Sequence, residues 1–139
     1  MTKPSSAHAL RIAIVEDEAL IAMEIEDLLS SAGYDVVGSA DSAPAAIHLI
    51  QDQKPDLALV DVQLASGTNG FEVAAELKGG ATAVVFATGN CPGRERDDAL
   101  GCLLKPYNAG QLLRAVEAED AVLRGAQPTN VPVEMHLYR

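Results

Sequence analysis

The sequence predicts one doubly wound α/β domain, and two observations lead to this fold class. Five short apolar segments alternate with longer segments whose apolar residues recur at helical spacing. Strands that are apolar along their whole length need cover on both faces, which implies a parallel sheet between two layers of helices. The length of 139 residues fits one such domain, and a hydrophobic content of 48% is enough to build its core.

The first strand and helix show the pattern most clearly. The run from Leu10 to Val15 is apolar and rich in β-branched residues, which is typical of a buried strand. From Ala19 to Ser30, apolar side chains form one face and acidic side chains the other, so this segment is predicted to be an amphipathic helix. Gly33 follows its end, where a left-handed residue commonly terminates a helix.

The same alternation continues along the chain. Four further strands are predicted, over Tyr34–Gly38, Leu57–Val60, Ala83–Ala87 and Leu100–Leu104. Three further helices are predicted, from a cap at Asp41 or Ser42 to about Gln53, over Gly70–Leu77, and from Ala109 to about Arg124. Between the fourth and fifth strands, residues 90–99 leave room for at most a short or degenerate helix. The string Arg94–Asp98 within it is predicted to be a solvated face.

We expect an N-terminal extension over residues 1–9, the α/β domain over 10–124 and a C-terminal tail over 125–139. Apolar residues of the tail recur with a period of two, at Val131, Val133, Met135 and Leu137. This period fits an extended arm that pairs with the sheet edge of a neighbouring chain. A frayed terminus is the other interpretation, and it is the preferred one. A homodimer through the last helix or the tail is a further expectation.

Composition disfavours several classes of partner. A net charge of −10 repels the phosphates of nucleic acids and of anionic membranes. No apolar run is long enough for a membrane span, and Met1 to Ala9 lacks the apolar core of a signal peptide. Cys91 and Cys102 lack the spacing of a metal site or of a disulfide framework, which favours a reducing compartment. We therefore expect a cytoplasmic protein with inert thiols.

Polar residues follow the predicted strands at the edge of the sheet where such folds bind ligands. Glu16 and Asp17 follow the first strand, Asp61 the third, Thr88 the fourth and Lys105 the fifth. Gathered carboxylates resist joint ionisation, and a bound cation removes that cost. Oxygen ligands favour Mg²⁺ over zinc or copper. Each residue alone has an ordinary structural interpretation, but their shared position at strand ends favours a site.

Asp61 is the predicted nucleophile of this site. A carboxylate can attack phosphorus and form an aspartyl phosphate, in a reaction that needs mainly positioning and neutralisation of the phosphoryl oxygens. We expect Lys105 to pair with one of these oxygens and Thr88 to donate a hydrogen bond to another. The predicted Mg²⁺ ligands are Asp61, Asp17, Glu16 through a water molecule, and the backbone carbonyl of Gln63.

These motifs and their order resemble the receiver domains of two-component signalling. IAIVEDEALIAMEIEDLL resembles the first strand, the acidic pair and the first helix, and PDLALVDVQL resembles the phosphoacceptor strand, with Asp61 at the acceptor position. VVFATG resembles the strand that carries the switch threonine, here Thr88, and LLKPY the strand that ends in the invariant lysine, here Lys105. The resemblance covers about Leu10 to Arg124.

The resemblance implies a five-stranded parallel sheet in the flavodoxin-like order 2-1-3-4-5, as in the chemotaxis regulator. It also implies a phosphoryl donor, either a histidine kinase or a histidine phosphotransfer protein. The expected function is that of a single-domain response regulator that signals by protein contact or by passing the phosphoryl group on. Such a protein is no enzyme beyond catalysing its own phosphorylation and dephosphorylation.

The sequence departs from the receiver pattern at several positions. Cys102 stands where receivers usually carry the Tyr or Phe that reports phosphorylation, and only sixteen residues separate Thr88 from Lys105. The acidic pair begins with Glu16 rather than Asp, a common variant that is expected to keep metal binding. FATGN is similar to the F-A-T-G signature of a subgroup of single-domain regulators common in alphaproteobacteria. The Tyr that ends that signature is replaced here by Cys91.

Two other functions fit parts of the pattern, and two more are opposed by it. Cys102 and the shortened segment before it favour a degenerate receiver that acts as a phosphorylation-independent interaction module. An aspartyl phosphatase needs a second Asp where this chain has Gln63, and a flavin protein needs an uncharged loop where it has acidic residues. A redox sensor would use Cys91 and Cys102, which approach each other if the shortened loop folds back.

Overall fold

Six strands form one sheet in the computed structural model, which describes residues 9–93 and 97–138. The strands are β1 Arg11–Val15, β2 Asp35–Ala40, β3 Leu57–Asp61, β4 Ala83–Thr88, β5 Gly101–Leu104 and β6 Met135–Leu137. Their spatial order is β2-β1-β3-β4-β5-β6, and the first five run parallel. The predicted parallel sheet of five strands in the order 2-1-3-4-5 is confirmed, and β6 adds an antiparallel sixth strand to its edge.

Four helices and one short turn cover the described part of this sheet. The helices are α1 Ala19–Ser31, α2 Ala43–Gln53, α3 Gly70–Leu77 and α4 Ala109–Leu123, and a 3-10 turn spans Ala65–Gly67. The start of α2 is fixed by Ser42, whose side chain accepts a hydrogen bond from the Ala45 amide. Capping boxes at Asn69 and Asn108 fix the starts of α3 and α4.

The core lies in two layers, one on each face of the sheet. Alternate residues of β1 divide between them, because side chains of a strand point to opposite faces. Ile12 and Ile14 pack in the cluster with α1 and α4, and Ala13 and Val15 pack in the cluster with α2 and α3. Each strand of the centre is therefore buried on both sides, as the apolar runs predict.

The connection between β4 and β5 contains no helix among its described residues. Of the solvated face predicted over Arg94–Asp98, the structure describes only Asp97 and Asp98. Of the predicted N-terminal extension, only Ala9 lies within the described residues. The final helix is consequently numbered α4. It would be the fifth helix if each of the five parallel strands were followed by one.

The C-terminal tail forms the sixth strand of its own domain's sheet. In β6, Met135 pairs with Leu103 and Leu137 with Gly101, in antiparallel register. Tyr138 follows and is buried. The prediction of an arm for a neighbouring chain and the alternative of a frayed end are therefore both wrong. An open β5 edge would present unpaired backbone groups, and the tail covers it.

Within the described ranges, none of the helices combines the length and the apolar character needed to cross a membrane.

Candidate functional site

A polar cleft of about 480 Å³ lies at the carboxyl edge of the parallel sheet. Its lining comprises Glu16, Asp17, Glu18, Asp61, Gln63, Thr88, Gly89, Asn90 and Lys105. Every residue that the sequence predicts for the site is in this set. They come together because the parallel strands β1, β3, β4 and β5 all end at this edge.

Backbone pairing sets the relative positions of the strand ends. Asp61 is the last residue of β3 and lies opposite Ala87 of β4. The amide of Lys105 donates a 2.8 Å hydrogen bond to the carbonyl of Thr88. This bond continues the β4–β5 ladder by one step and brings the lysine and the threonine to the same side of the cleft. The Lys105–Pro106 peptide bond that follows is cis.

Three carboxylates lie close enough to share one cation. Glu16, Asp17 and Asp61 each place an oxygen within 4.8 Å of the others. Glu16 and Asp61 are buried and Asp17 is exposed, so the cluster is open to solvent on one side. Three gathered oxygens with an open side fit Mg²⁺, which binds through a few carboxylates and keeps several waters.

Glu16 is the carboxylate whose ionisation this arrangement changes most clearly. Burial raises its pKa from 4.5 to about 7, and the negative charge of Asp61 contributes in the same direction. The Glu18 amide donates a 3.1 Å hydrogen bond to Glu16 Oε2, which lowers the pKa, as does the charge of Lys105. A cation placed in the cluster would favour the ionised form of Glu16.

Asp61 is held by two donors. Lys105 Nζ donates to Asp61 Oδ2 at 2.9 Å, and the amide of Gln63 donates to Asp61 Oδ1 at 3.3 Å. The Asp61 side chain is 11% exposed and that of Lys105 34% exposed, so the ion pair is partly shielded from water. The two donors orient the carboxylate and leave it accessible from the cleft.

Thr88 ends β4 with its hydroxyl group at the rim of the cleft. The amide of Asn90 donates to Thr88 Oγ1 at 3.3 Å. A hydroxyl that accepts this bond still has its own proton to donate. Thr88 therefore remains a donor for an anionic group bound beside Asp61.

Gly70 supports the site by letting α3 pack closely against the end of β3. In the sequence, Gly70 marks only the start of a predicted helix. A Cβ atom at Gly70 would lie 2.6 Å from the carbonyl oxygen of Asp61 and 2.8 Å from Val60 Cγ1. The Gly70 amide also donates to the Val62 carbonyl at 2.8 Å. Only a glycine lets α3 approach the end of β3 this closely.

Cys91 and Cys102 form a disulfide, which corrects the expectation of inert free thiols. Their Cα atoms are 6.0 Å apart, within the usual range for a disulfide. Their spacing in the sequence matches no disulfide framework. They come together because the chain turns between β4 and β5. Cys102 lies opposite Phe86 of β4, in the apolar core on the α2–α3 side.

An apolar groove of about 740 Å³ runs between α1 and the segment that leads into α4. It is lined by Ile21, Glu24, Ile25, Leu28, Lys105, Pro106, Tyr107, Asn108, Ala109 and Leu112. Leu20 and Met23 of α1 are also exposed, at 75% and 59%. The groove meets the polar cleft at Lys105, which lines both.

Comparison with known proteins gives a consistent result. The family described as the response regulator receiver domain matches residues 12–117. The transcriptional regulatory protein PdtaR of Mycobacterium tuberculosis is 33% identical over 84% of this chain and 59% of its own length. The phyllosphere-induced regulator PhyR of Methylorubrum extorquens is 36% identical over 71% of this chain and 39% of its own length.

A solved structure agrees with these relatives. The crystal structure of the response regulator PhyR from Brucella abortus is 36% identical, with a TM-score of 0.63, over 73% of this chain and 43% of that one. The likeness to PhyR proteins fits the alphaproteobacterial subgroup indicated by FATGN. This chain spans less than two thirds of the length of each of these relatives.

Proposed function

The chain belongs to the response regulator receiver domain family of two-component signalling, and we propose that Asp61 accepts a phosphoryl group in a Mg²⁺-dependent reaction. The donor is a histidine kinase or a histidine phosphotransfer protein. The phosphorylated form then signals by protein contact or passes the phosphoryl group on. We place this exchange in the cytoplasm, in line with the receiver family and with the lack of a signal-peptide core in Met1 to Ala9, whereas the disulfide removes the argument from free thiols.

The observation that carries the proposal is the position of Lys105 against the acidic cluster. Its ammonium group bonds to Asp61 Oδ2 at 2.9 Å, and Asp61 also places an oxygen within 4.8 Å of one oxygen each of Glu16 and Asp17. An ordinary ion pair needs one carboxylate, whereas this arrangement gives one nucleophile both a fixed cation and neighbouring ligands for a second cation. Phosphoryl transfer requires that distribution of charge.

In the proposed reaction an oxygen of Asp61 attacks the phosphorus atom of the donor's phosphohistidine. A phosphorus–oxygen bond forms, and the phosphorus–nitrogen bond breaks as its electrons return to the imidazole. Lys105 pairs with one of the phosphoryl oxygens, and the Thr88 hydroxyl group donates a hydrogen bond to another. Mg²⁺, held by Asp61, Asp17, Glu16 through water and the Gln63 carbonyl, would supply positive charge to offset that of the carboxylates and the phosphoryl group.

The apolar groove beside Lys105 is the surface on which we place the phosphoryl donor. A helical donor seated there would cover Ile21, Ile25 and Leu28 of α1 and bring its histidine to the cleft, because Lys105 lines both surfaces. The main part of the groove is apolar, which suits burial of an amphipathic helix.

Addition of beryllofluoride and Mg²⁺ tests the site while NMR spectra are recorded. Beryllofluoride is expected to shift the amide signals around Asp61, Thr88 and Lys105 in the wild type only when Mg²⁺ is present. Asp61→Asn should abolish these shifts. Asp27→Asn, the same change on the exposed face of α1, should preserve them.

A phosphorylation-independent interaction module is the second candidate function. Cys102 favours it, since a fully buried disulfide-bonded cysteine occupies the position of the usual switch aromatic. An absence of Mg²⁺-dependent shifts in the wild type would support this module and contradict phosphoryl acceptance.

A further inference from the structure

The disulfide ties the segment that follows Thr88 to the core of the sheet. Cys91 lies three residues beyond Thr88, and Cys102 is the second residue of β5. Cys102 is 0% exposed, whereas Cys91 is half-buried. The disulfide therefore links a residue that is partly exposed to one that is inside the domain. Accessibility of one sulfur is what thiol–disulfide exchange with a second molecule requires.

The C-terminal tail holds the same segment by a second, non-covalent contact. The Tyr138 hydroxyl donates to the carbonyl of Pro92 at 3.0 Å, and the Tyr138 amide donates to the carbonyl of Leu100 at 2.9 Å. The Tyr138 ring packs in the apolar cluster that includes Cys102, with Cys91 against it. The disulfide and the tail thus lie at the β4–β5 connection, in which residues 89–93 and 97–100 contain no helix.

A short path connects the disulfide to the cleft. Asn90 precedes Cys91, and its amide donates to Thr88 Oγ1. The covalent bond at Cys91 restricts where the Asn90 amide can lie, and so restricts the hydroxyl group of Thr88. A phosphoryl group on Asp61 needs that hydroxyl to turn toward its oxygen.

We propose that Cys91–Cys102 is a thiol–disulfide exchange site for a dithiol reductant, and that its reduction releases the segment after Thr88 and accelerates phosphoryl acceptance at Asp61. The coupling to Asp61 rests on the proposed function. The exchange site itself rests on the position and burial of the two sulfur atoms.

The exchange balances without any further reactant. One thiolate of the dithiol attacks the half-buried Cys91 sulfur, and Cys102 leaves as a thiolate that takes up a proton. The second thiol of the reductant then attacks the mixed disulfide and releases Cys91. The protein gains two electrons and two protons, and the dithiol becomes a disulfide. The reverse reaction, with a disulfide as oxidant, restores the bond.

The first experiment measures the exchange without reference to phosphorylation. The native protein is incubated with dithiothreitol, then unfolded in guanidinium chloride with excess iodoacetamide and weighed intact, and hydrogen exchange of the native protein is followed in 89–93 and 135–138. Two alkyl groups per chain and faster exchange are expected only after reduction. Alkylation of both cysteines without reductant, no alkylation after dithiothreitol, or unchanged exchange after reduction, would overturn the site.

The second experiment measures the coupling. Oxidised and reduced proteins, freed of reductant, are incubated with acetyl phosphate and Mg²⁺. Reduction is expected to raise the labelling rate roughly three- to tenfold, the range that corresponds to loss of one restraining hydrogen bond. Cys91→Ser should label at the rate of reduced wild type under both conditions, since it leaves Cys102 in the core.

The outcomes separate this inference from the proposed function. Equal labelling of the oxidised and reduced forms, each abolished by Asp61→Asn, overturns the coupling and supports phosphoryl acceptance. Absence of labelling in both forms overturns phosphoryl acceptance and the coupling with it, while the alkylation and exchange data still decide on the disulfide.

Discussion

The ammonium group of Lys105 lies 2.9 Å from Asp61 Oδ2, at the point where β3 and β5 end on either side of β4. The two side chains are separated by 44 positions in the sequence. Parallel pairing of β4 with β3 on one side and with β5 on the other brings them together, so the fold itself creates the ion pair.

Removal of the Lys105 ammonium group should slow phosphoryl acceptance more than it alters metal binding. Lys105→Ala is expected to reduce the acetyl phosphate labelling rate on the order of tenfold or more, since a hydrogen bond to a charged group contributes about 1.5–3 kcal/mol. Mg²⁺ affinity, measured by calorimetry, should stay the same or rise because the cluster loses a competing positive charge.

Lys78→Ala provides the matched control for this change. Lys78 forms an ion pair of the same length with Asp97 at the exposed surface. Unchanged labelling is expected because exposed pairs contribute little. Equal effects of the two substitutions would show that Lys105 has no specific part in the reaction.

Glu16 gives the metal-free protein a pH-dependent stability. Its pKa in the folded state is raised to about 7 from 4.5, chiefly by burial, so its contribution to stability is present below pH 4.5 and is lost as the pH rises through about 7. Mg²⁺ should reverse this loss because it favours the ionised carboxylate. The rise in Tm on adding Mg²⁺ is therefore expected to be larger at pH 8 than at pH 5.5.

Glu16→Gln serves as the control for this pH dependence, because an amide does not titrate. The variant should show a flatter dependence of Tm on pH and a smaller gain from Mg²⁺ at pH 8. A Mg²⁺ effect in the wild type that is the same at both pH values would contradict the assignment of Glu16 to the metal site.

A methyl group at Gly70 should displace α3 from the end of β3. Gly70→Ala is expected to lower the free energy of unfolding by about 1–3 kcal/mol, as overpacking does, and to slow labelling of Asp61. Urea unfolding and intact mass provide the two readouts. Gly93→Ala is the control, because a Cβ atom there meets nothing within 4 Å. An unaffected Gly70→Ala protein would contradict the close packing of α3 against Asp61.

A charge in the apolar groove should separate docking from chemistry. Ile21→Glu is expected to reduce phosphoryl transfer from a phosphorylated histidine donor about tenfold or more, since Ile21 lines the groove and the change places a charge in a surface that the donor would bury. Labelling by acetyl phosphate should be unchanged. Glu26→Gln, a neutralising change at an exposed α1 position, is the control. Equal loss with both phosphoryl sources would contradict docking at this groove.

Local patterns were sufficient for the parallel sheet and for the candidate site. The apolar runs placed the ends of β1, β3, β4 and β5, and strand ends in a parallel sheet share one edge. Glu16, Asp61, Thr88 and Lys105 could therefore be placed at one edge of the sheet without any knowledge of contacts, and all four line the same cleft. The start of α2 was equally accessible, because Ser42 is recognisable as a cap from its residue type.

Long-range pairings were less accessible. The alternation around Met135 and Leu137 correctly indicated an extended segment, but a period of two does not specify which sheet edge it joins. The Cys91–Cys102 disulfide likewise depends on the turn between β4 and β5, whose path residue types do not fix. Both features lie at the β4–β5 connection, where the described residues form no helix, so a pattern based on complete strand–helix alternation had least information there.

Intact mass after incubation with acetyl phosphate and Mg²⁺ is the most direct test of Asp61 as the phosphoacceptor. A gain of one phosphoryl group is expected in the wild type and in Asp27→Asn. No gain is expected in Asp61→Asn, or in any of the three proteins when Mg²⁺ is withheld. Equal labelling of wild type and Asp61→Asn, or none in either, would contradict the assignment of Asp61 as the phosphoacceptor.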